Sequence, residues 1–320
     1  MTLLEVKNLR TQLLTPRGYL QVLNGVSFQV KEGRILALVG ESGCGKTMTA
    51  LSILKILPPF SKVFGEVLYE GCNLLELPEE TLQKMRGKEI SMIFQEPSRA
   101  LNPVLSIGEQ LIETLIIHHG FKKNEACEKA LALLANVGFS NPILVYRSYP
   151  HQLSGGMKQR VMIALALAGE PKLLIADEPT TALDVSIQAQ IIDLLYQLVK
   201  ERNLTMILIT HNLALVSYIA DFVSVMYMGT IVESGPTEVV LSNPLHPYTK
   251  GLLESLPVEP SKPLRPIPGS LPSPFEKIVG CYFHPRCGVA EDICKTKVPP
   301  KIKLDDREIR CWLHADSDRG

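Results

Sequence analysis

The segment Gly40–Thr47 limits most strongly what this chain can fold into. Its sequence, GESGCGKT, satisfies the pattern G-x-x-x-x-G-K-[ST]. An apolar run, Arg34–Val39, precedes it and is typical of a strand buried on both faces. A helical stretch, Lys46–Leu57, follows it and is stopped by Pro58 and Pro59. A strand, a glycine-rich turn and a helix in this order predict an α/β fold with a phosphate site at the turn.

The glycines of this phosphate loop let successive backbone N–H groups point inwards at phosphate oxygens, and the following helix adds its positive end. We expect Lys46 to reach the β- and γ-phosphates and the Thr47 hydroxyl to bind Mg²⁺. The alternative is a strand–helix turn that binds no ligand. Nucleotide contacts are expected from these residues: Gly40, Ser42, Gly43, Cys44, Gly45, Lys46, Thr47 and Met48. Cys44 is interpreted as a small side chain of the loop in preference to a redox thiol.

A second acidic motif completes this chemistry. The apolar run Leu173–Ala176 brings Asp177 to the end of a strand, where its carboxylate can hold Mg²⁺ through water. Glu178 lies beyond the strand tip and could orient or deprotonate a water for attack on the γ-phosphate. An Asp-Glu pair alone would be a solvated strand end, but the phosphate loop upstream favours the catalytic interpretation.

The remaining pattern of residues 1–256 predicts alternating strands and helices. The strand-like run Thr205–Ile209 and the helical pattern Val185–Val199 imply crossover connections and a largely parallel sheet. Alternation around Phe28 and Val30 predicts a more antiparallel sheet near the N-terminus. Residues 98–152 are mainly helical in pattern, so we expect a helical subdomain there.

Composition excludes several classes of protein. The 320 residues carry 33 Lys plus Arg against 33 Asp plus Glu, so the basic excess of a nucleic-acid-binding protein is absent. The longest apolar runs, such as Val161–Ala168, fall short of the roughly 20 residues that span a bilayer. The N-terminal sequence does not resemble a signal peptide. We therefore expect a cytosolic chain with no nucleic-acid partner.

Composition changes near residue 256. Ten of the 23 prolines lie between Pro257 and Pro300, which a regular helix-and-sheet domain does not tolerate. We predict one domain over 1–256 and, over 257–320, a Pro-rich linker followed by a small irregular Cys-rich domain. Four of the seven cysteines lie in that tail: Cys281, Cys287, Cys294 and Cys311.

Four thiolates in a reducing compartment suit zinc or an iron–sulfur cluster better than two disulfides. The absence of C-x₂-C pairs disfavours zinc without excluding it, and free thiols are the third alternative. His284 and His314 could act as substitute ligands but are interpreted as bystanders.

The segment Leu153–Gln159, LSGGMKQ, lies between the phosphate loop and the Asp-Glu strand. With these motifs in this order, residues 1–245 resemble an ATP-binding cassette (ABC) ATPase. The resemblance implies that Ser154, Gly155 and Gly156 bind the γ-phosphate of ATP held by a second cassette. It is supported by a physical argument, because a capped and sterically open helix start is an anion site.

The same resemblance implies roles for several more residues. Gln95 would contact Mg²⁺ and the attacking water and link them to the helical subdomain, and His211 would contact the γ-phosphate. Asp184, in the loop Ala182–Asp184, would touch the opposite subunit. Tyr19 is the candidate for stacking on adenine; the alternative is a surface aromatic of a hairpin.

The tail extends the resemblance to essentially the full length. Asn243–Leu253, the Pro-rich stretch and Gly280–Cys287 together resemble the ATPases of the oligopeptide, dipeptide and nickel importer family. This implies a subunit that hydrolyses ATP to power import of dipeptides or oligopeptides, with a 4Fe–4S cluster in the tail. It also implies a second ATPase subunit, two transmembrane permease subunits and, indirectly, an extracytoplasmic peptide-binding protein. The chain would then lie peripherally on the cytoplasmic face of the membrane.

Three alternatives stay open. A nickel importer ATPase belongs to the same family. A non-transport ABC ATPase acting on DNA or ribosomes is disfavoured by the zero net charge and by the short interval of 107 residues between Lys46 and Ser154. An iron–sulfur redox protein regulated by ATP is disfavoured because no flavin or nicotinamide fingerprint accompanies the cysteines.

Overall fold

The computed structural model describes residues 1–181, 183–255 and 266–315. Ala182 of the predicted subunit-contact loop and residues 257–265 of the predicted linker therefore lie outside the described residues. The strands are β1 (Thr2–Thr15), β2 (Gly18–Lys31), β3 (Ile35–Val39), β4 (Lys62–Tyr69), β5 (Cys72–Asn73), β6 (Ile90–Ile93), β7 (Leu173–Asp177), β8 (Thr205–Thr210), β9 (Phe222–Tyr227), β10 (Thr230–Pro236), β11 (Ile302–Leu304) and β12 (Arg307–Ile309).

Twelve α-helices lie within the described residues, and none of them is long and apolar enough to cross a membrane. They are α1 (Lys46–Ile53), α2 (Glu79–Met85), α3 (Pro97–Ala100), α4 (Ile107–His119), α5 (Lys123–Asn136), α6 (Pro142–Arg147), α7 (Gly155–Leu167), α8 (Val185–Glu201), α9 (Leu213–Ile219), α10 (Thr237–Ser242), α11 (Pro247–Glu254) and α12 (Asp292–Thr296).

The chain divides into two compact units. The first unit comprises Met1, Lys31–Arg34 and Glu76–Ile209. The second unit comprises the segments Thr2–Val30, Ile35–Leu75 and Thr210–Gly320. The second unit therefore contains both the N-terminal strands and the C-terminal tail.

In the first unit, β6, β7 and β8 run parallel to one another, and their residues are buried. Short apolar runs without alternation produce this arrangement, because both faces of a parallel sheet are covered. Helix α7 packs against β6 and against the helices α3, α4 and α5. The parallel sheet predicted from the strand–helix alternation is confirmed.

The helical segment of the first unit is organised by its caps. Ser106 and Glu109 form a capping box at the start of α4, and the helix ends at Gly120 in a left-handed conformation. Asn141 caps α6 through its side chain, which accepts a hydrogen bond from the Leu144 N–H. Helices therefore occupy the part of the chain in which the sequence pattern predicts them.

The second unit contains an antiparallel sheet with the strand order β2-β1-β4-β5, as predicted for the N-terminal region. In a separate ladder, β3 runs parallel to β9, while β9, β10, β12 and β11 pair in antiparallel fashion in that order. The tail thus adds a short hairpin, β11–β12, to a sheet edge. From the sequence, only irregular structure is predicted there.

The tail also shares the core of the second unit. Phe283 is buried and packs with Tyr227 and Tyr248, with ring centroids 5.2 and 5.3 Å away, respectively. Around these rings lies a cluster of small and branched side chains: Ala37, Val39, Leu213, Val216, Val223, Val225, Val232 and Val240. The tail therefore packs against the rest of the second unit and does not depend on an apolar core of its own.

Helix α1 is shorter than predicted. It ends at Ile53, and Lys55 adopts a left-handed conformation with φ 54°. The Lys55 N–H donates to the Ser52 carbonyl, and the Ile56 N–H donates to the Leu51 carbonyl. This is the hydrogen-bond pattern of a Schellman cap, so the helix ends before the two prolines are reached.

Candidate functional site

The phosphate loop connects β3 to α1. Gly45 has φ 107° and occupies the N-cap position of the helix. The dihedral angle requires glycine, and a Cβ atom there would also lie only 2.9 Å from Leu23 Cδ2 and from Met226 Cε. Ser42 and Gly43 are exposed at the tip of the loop. The loop therefore presents backbone to solvent where a phosphate would dock.

Lys46 is held inside this loop. Its side chain is buried, and its ammonium donates to the Gly40 carbonyl at 2.8 Å and to the Glu41 carbonyl at 3.0 Å. Thr47 and Met48 follow, half-buried, in the first turn of α1. The ammonium is thus already positioned beside the backbone groups that would surround a phosphate.

Cys44 of the loop is 1% exposed. Burial raises the pKa of its thiol, because the charged thiolate would be desolvated, although the Lys46 ammonium acts in the opposite direction. A buried, protonated thiol favours the interpretation of Cys44 as a small packing residue.

Two carboxylates lie at the end of β7 in the first unit. Asp177 is the last residue of the strand and is 1% exposed. Glu178 has φ 45°, a conformation that non-glycine residues seldom adopt, and its N–H donates to the Ile209 carbonyl at 2.9 Å. Because of this left-handed turn, the side chains of Asp177 and Glu178 point in different directions. Residues in such seldom-populated conformations cluster at functional sites.

The Glu178 carboxylate has two further partners within the first unit. Gln95 Nε2 donates to Glu178 Oε2 at 3.1 Å, and the Thr181 hydroxyl donates to the same oxygen at 2.8 Å. Gln95 follows β6 and is exposed. The two side chains that the sequence analysis assigned to the attacking water are thus brought together.

The start of α7 is built as the sequence predicts. Ser154 is the N-cap, and its hydroxyl accepts a hydrogen bond from the Met157 N–H at 3.3 Å. A Cβ atom on Gly156 would lie 2.9 Å from Ile187 Cγ2, so glycine lets α8 approach closely. Asp184, the N-cap of α8, is exposed, as are Ser154 and Gly155.

Two further predicted residues lie in the second unit. His211 is exposed directly after β8, and the neighbouring Asn212 caps α9 by accepting from the Ala214 and Leu215 N–H groups. Tyr19 is 47% exposed at the start of β2, and Lys62 Nζ lies 4.2 Å from the centroid of its ring. This cation–π contact takes one side of the ring.

The predicted nucleotide residues therefore divide between the units. The phosphate loop, Tyr19 and His211 belong to the second unit. The first unit holds the residues assigned to magnesium, to the attacking water and to the neighbouring cassette: Gln95, Ser154, Gly155, Gly156, Asp177, Glu178 and Asp184.

The four tail cysteines line one pocket, together with His246, Pro247, Phe283, His284, Val289, Trp312 and Leu313. Burial, together with the neighbouring thiols, raises the pKa of the Cys281 and Cys311 thiols to about 11. Trp312 is buried, and its indole N–H donates to the Lys297 carbonyl at 3.0 Å.

The described residues do not support the prediction of a metal centre in the tail. Across residues 1–181, 183–255 and 266–315, no group of three or more His, Cys, Asp or Glu side chains is arranged so that it could hold a metal ion. The four thiols line the same pocket, but they are not arranged as the ligands of one metal ion.

Glu41, the second residue of the phosphate loop, makes a set of contacts that the sequence does not predict. The Arg286 guanidinium pairs with its carboxylate, and the Tyr248 hydroxyl accepts from its N–H. These partners lie 245 and 207 positions further along the chain. Both occur in segments that the resemblance singled out, but no local pattern indicates that they meet the loop.

Two family models match the chain. One, described as ABC transporter, matches residues 23–181, and the other, described as oligopeptide/dipeptide transporter, C-terminal region, matches residues 232–294. The second match reaches across β10, α10 and α11 into the cysteine-containing tail.

Curated relatives match over nearly the whole length. The oligopeptide transport ATP-binding protein AppD of Bacillus subtilis (strain 168) is 48% identical over 98% of this chain and 98% of AppD. The dipeptide transport ATP-binding protein DppD of the same organism is 44% identical over 97% of this chain and 94% of DppD.

Solved structures show the same fold. The ATP-binding cassette MJ0796, as a dimer in a post-hydrolysis state bound to ADP and Pi, matches with a TM-score of 0.65 and 27% identity, covering 73% of this chain and 98% of MJ0796. The strand–loop–helix around Lys46, the acidic end of β7 and both family matches agree with this likeness. The chain belongs to the ABC transporter family of ATPases, in the group that carries the oligopeptide/dipeptide transporter C-terminal region.

Proposed function

We propose that this ATPase powers the import of dipeptides or oligopeptides through a membrane transporter. The observation that carries the proposal is the oligopeptide/dipeptide C-terminal region. In this chain it follows all the motifs that we assign to ATP binding. Relatives of nearly the same length, AppD and DppD, are named for oligopeptide and dipeptide transport.

The chemistry begins at the phosphate loop. The ammonium of Lys46 leaves the carbonyls of Gly40 and Glu41 for the β- and γ-phosphate oxygens of ATP, while the loop N–H groups bind the same phosphates. Oxygen ligands suit Mg²⁺, and Thr47, Gln95 and Asp177 are the side chains that would hold it. Bound there, Mg²⁺ would neutralise charge on the phosphates.

Hydrolysis then depends on Glu178. Its carboxylate accepts a proton from a water that attacks the γ-phosphorus in line, so that the bond to the β-phosphate oxygen breaks and ADP leaves. Gln95, 3.1 Å from Glu178, orients that water, and His211 contacts the γ-phosphate. Tyr19 would stack on adenine with the ring face that Lys62 does not cover.

A second cassette completes the site. The exposed N-terminus of α7, with Ser154, Gly155 and Gly156, is suited to an anion, and its ligand is the γ-phosphate held by the partner cassette. Asp184, also exposed, contacts that partner. Two ATP molecules lie between two cassettes in this arrangement.

The cassettes dock on two transmembrane permease subunits at the cytoplasmic face of the membrane. The docking region is the helical segment near residues 95–110, because Gln95 joins it to the γ-phosphate site. An extracytoplasmic peptide-binding protein delivers the peptide to the permease. Nucleic acid has no role in this proposal, in agreement with the zero net charge.

The tail pocket is proposed to hold a 4Fe–4S cluster. A single zinc ion needs all four sulfurs at about 2.3 Å from one point, and the described residues contain no such group. A cluster is bound by four thiolates around a larger body, which suits four cysteines spread over one pocket. When bound, it would join four segments of a tail that has little regular structure.

The transporter proposal is tested by purifying the tagged chain from its own membranes. Two hydrophobic subunits should copurify, and the assembly in liposomes should take up labelled peptides when ATP and the peptide-binding protein are supplied. Uptake of nickel without uptake of peptide would favour the nickel importer and overturn the proposal. Copurification with ribosomes or DNA alone would favour the non-transport alternative.

The cluster is tested by metal and sulfide analysis of the anaerobically purified protein. Four iron atoms and four acid-labile sulfides per chain, with absorbance near 400 nm, are expected. A colourless protein with one zinc per chain would overturn the cluster, and a metal-free protein would leave four free thiols.

A further inference from the structure

Glu41 is an acidic residue in a loop that is expected to bind phosphates. Its carboxylate is negatively charged, as is every phosphate of ATP, and it directly follows Gly40 in the loop. Charges of the same sign repel each other, and the repulsion is stronger near a protein than in bulk water because the effective dielectric constant is lower. Glu41 therefore needs compensation if the loop is to bind a triphosphate.

The structure supplies that compensation from the tail. Arg286 Nη1 and Nη2 donate to the two carboxylate oxygens of Glu41, at 2.6 and 3.0 Å. This is a bidentate pair, the strongest geometry that arginine and a carboxylate can form. The Arg286 side chain is 5% exposed, so water screens the pair weakly.

Arg286 is itself fixed on several sides. Its Nε donates to the Pro268 carbonyl at 2.9 Å, and its guanidinium carbon lies 5.9 Å from the centroid of the Tyr227 ring. The residue ends a short 3₁₀ turn, His284–Arg286, and Cys287 follows it. The guanidinium is therefore positioned before it meets the loop.

The backbone of Glu41 is held as well. Its N–H donates to the hydroxyl of the fully buried Tyr248 at 2.9 Å, and its carbonyl accepts from Lys46 Nζ at 3.0 Å. A Cβ atom on Gly43 would lie 3.6 Å from Leu271 Cδ2, so the tail approaches the loop at a second point. Arg286 thus fixes Glu41, and the ammonium of the phosphate-binding Lys46 lies beside the backbone of that same residue.

We propose that Arg286 is a positioning residue for nucleotide binding: it turns the Glu41 carboxylate away from the phosphates, neutralises its charge and so keeps the phosphate loop receptive to ATP. The inference rests on the proposed function in that it takes the Gly40–Thr47 loop as the ATP site. It gives the C-terminal tail a direct part in nucleotide binding, separate from any metal that the cysteines bind.

The test measures ATP affinity by equilibrium binding to the full chain. Arg286→Ala leaves Glu41 charged and unpaired, and the Kd for ATP should rise about tenfold or more. Arg286→Lys keeps the charge but not the fork, so its Kd should fall between the two. The ratio of the Arg286→Ala Kd to the wild-type Kd should shrink as salt is raised, because salt screens the repulsion.

The double variant separates charge from folding. Glu41→Gln/Arg286→Ala lacks the ion pair, as Arg286→Ala does, but it carries no negative charge at position 41 of the loop. Its Kd should return to within about threefold of the wild-type value, because only hydrogen bonds are lost. A double variant that binds as weakly as Arg286→Ala would overturn the proposal and assign Arg286 a purely structural role.

Two controls complete the design. Arg307→Ala removes another arginine of the second unit, one that contacts Asn243 and Glu233, and its Kd should equal the wild-type value. Lys46→Ala should lose most ATP affinity in every background. If Lys46→Ala binds ATP normally, the proposed nucleotide site fails; if it does not and Arg286→Ala binds like wild type, only the inference about Arg286 fails.

Discussion

Glu178, the proposed general base, shows how several hydrogen bonds can fix the geometry of a single residue. Its carboxylate oxygen accepts from Gln95 and Thr181, and its N–H is tied to Ile209, so backbone and side chain are both restrained. A general base that is already oriented loses little freedom when the water arrives. The left-handed φ of Glu178 is the local strain that the surrounding hydrogen bonds maintain.

Replacement of this base should separate binding from chemistry. Glu178→Gln keeps the size of the side chain and one acceptor oxygen for Gln95 and Thr181, but it cannot take a proton. We expect ATP binding close to wild type and a kcat lower by about a hundredfold or more. Glu89→Gln, which alters an ion pair with Lys172 in the same unit, is the matched control and should hydrolyse ATP normally. Normal turnover by Glu178→Gln would remove it as the base.

Tyr19 offers a second test at this scale. Stacking on adenine is worth roughly 1 kcal/mol, so Tyr19→Ala should raise the Kd for ATP about fivefold while Tyr19→Phe retains affinity. Lys62→Ala removes the ammonium 4.2 Å from the ring centroid and shows whether that face is used. If Tyr19→Ala binds ATP as tightly as Tyr19→Phe, the residue is a surface aromatic of the hairpin.

Among the elements, helix α7 begins with a cap and two glycines that suit the anion site proposed there. Ser154 satisfies the Met157 N–H, and the two glycines leave the remaining N–H groups accessible. Gly156 also permits the close packing of Ile187 from α8. The same residues thus form both a capped helix end and the exposed start at which we propose that an anion binds.

Substitutions of Ser154 distinguish these two roles. Ser154→Ala removes the cap and should lower the free energy of unfolding by about 1 kcal/mol. Ser154→Asp keeps a capping acceptor but adds a negative charge where a phosphate would bind, so stability should be retained while ATPase activity falls more than in Ser154→Ala. The measurements are chemical denaturation and steady-state hydrolysis. Equal activity of the two variants would argue against an anion site.

The elements nearest the motifs are the ones that sequence reasoning predicts best. The strand before Gly40, the strand ending at Asp177 and the cap at Ser154 each have a local signal: an apolar run, a charge at its end, or a capping residue. The end of α1 was missed because Lys55, not a glycine, adopts the left-handed cap. The hairpin β11–β12 was missed because its strands are short and gain their partner, β10, only in the folded chain.

At the scale of the whole molecule, the tail belongs to the body of the second unit. Phe283 packs between Tyr227, Tyr248 and His246, and Arg286 reaches the phosphate loop. Composition alone predicts a separate, irregular appendage, because it detects prolines and cysteines but not tertiary contacts. The contact of Arg286 with Glu41 spans 245 positions, which no local pattern can reveal.

Because of this packing, we predict that replacing one aromatic residue of the tail lowers the stability of the fold strongly. Phe283 is 3% exposed, and Phe283→Ala should lower the free energy of unfolding by about 3–5 kcal/mol through lost burial and the cavity left behind. Phe275, 49% exposed in the same tail, is the matched control, and Phe275→Ala should cost less than about 1 kcal/mol. Equal losses in chemical denaturation would contradict the shared core.

The central claim, that ATP hydrolysis by this chain drives peptide import, is tested most directly by one paired measurement. The assembly purified with its membrane subunits is placed in liposomes, and ATP hydrolysis and uptake of a labelled peptide are followed together for the wild-type chain and for Glu178→Gln. We predict that both activities are lost together in the variant while ATP remains bound. Peptide uptake that continues after hydrolysis has stopped would contradict the account.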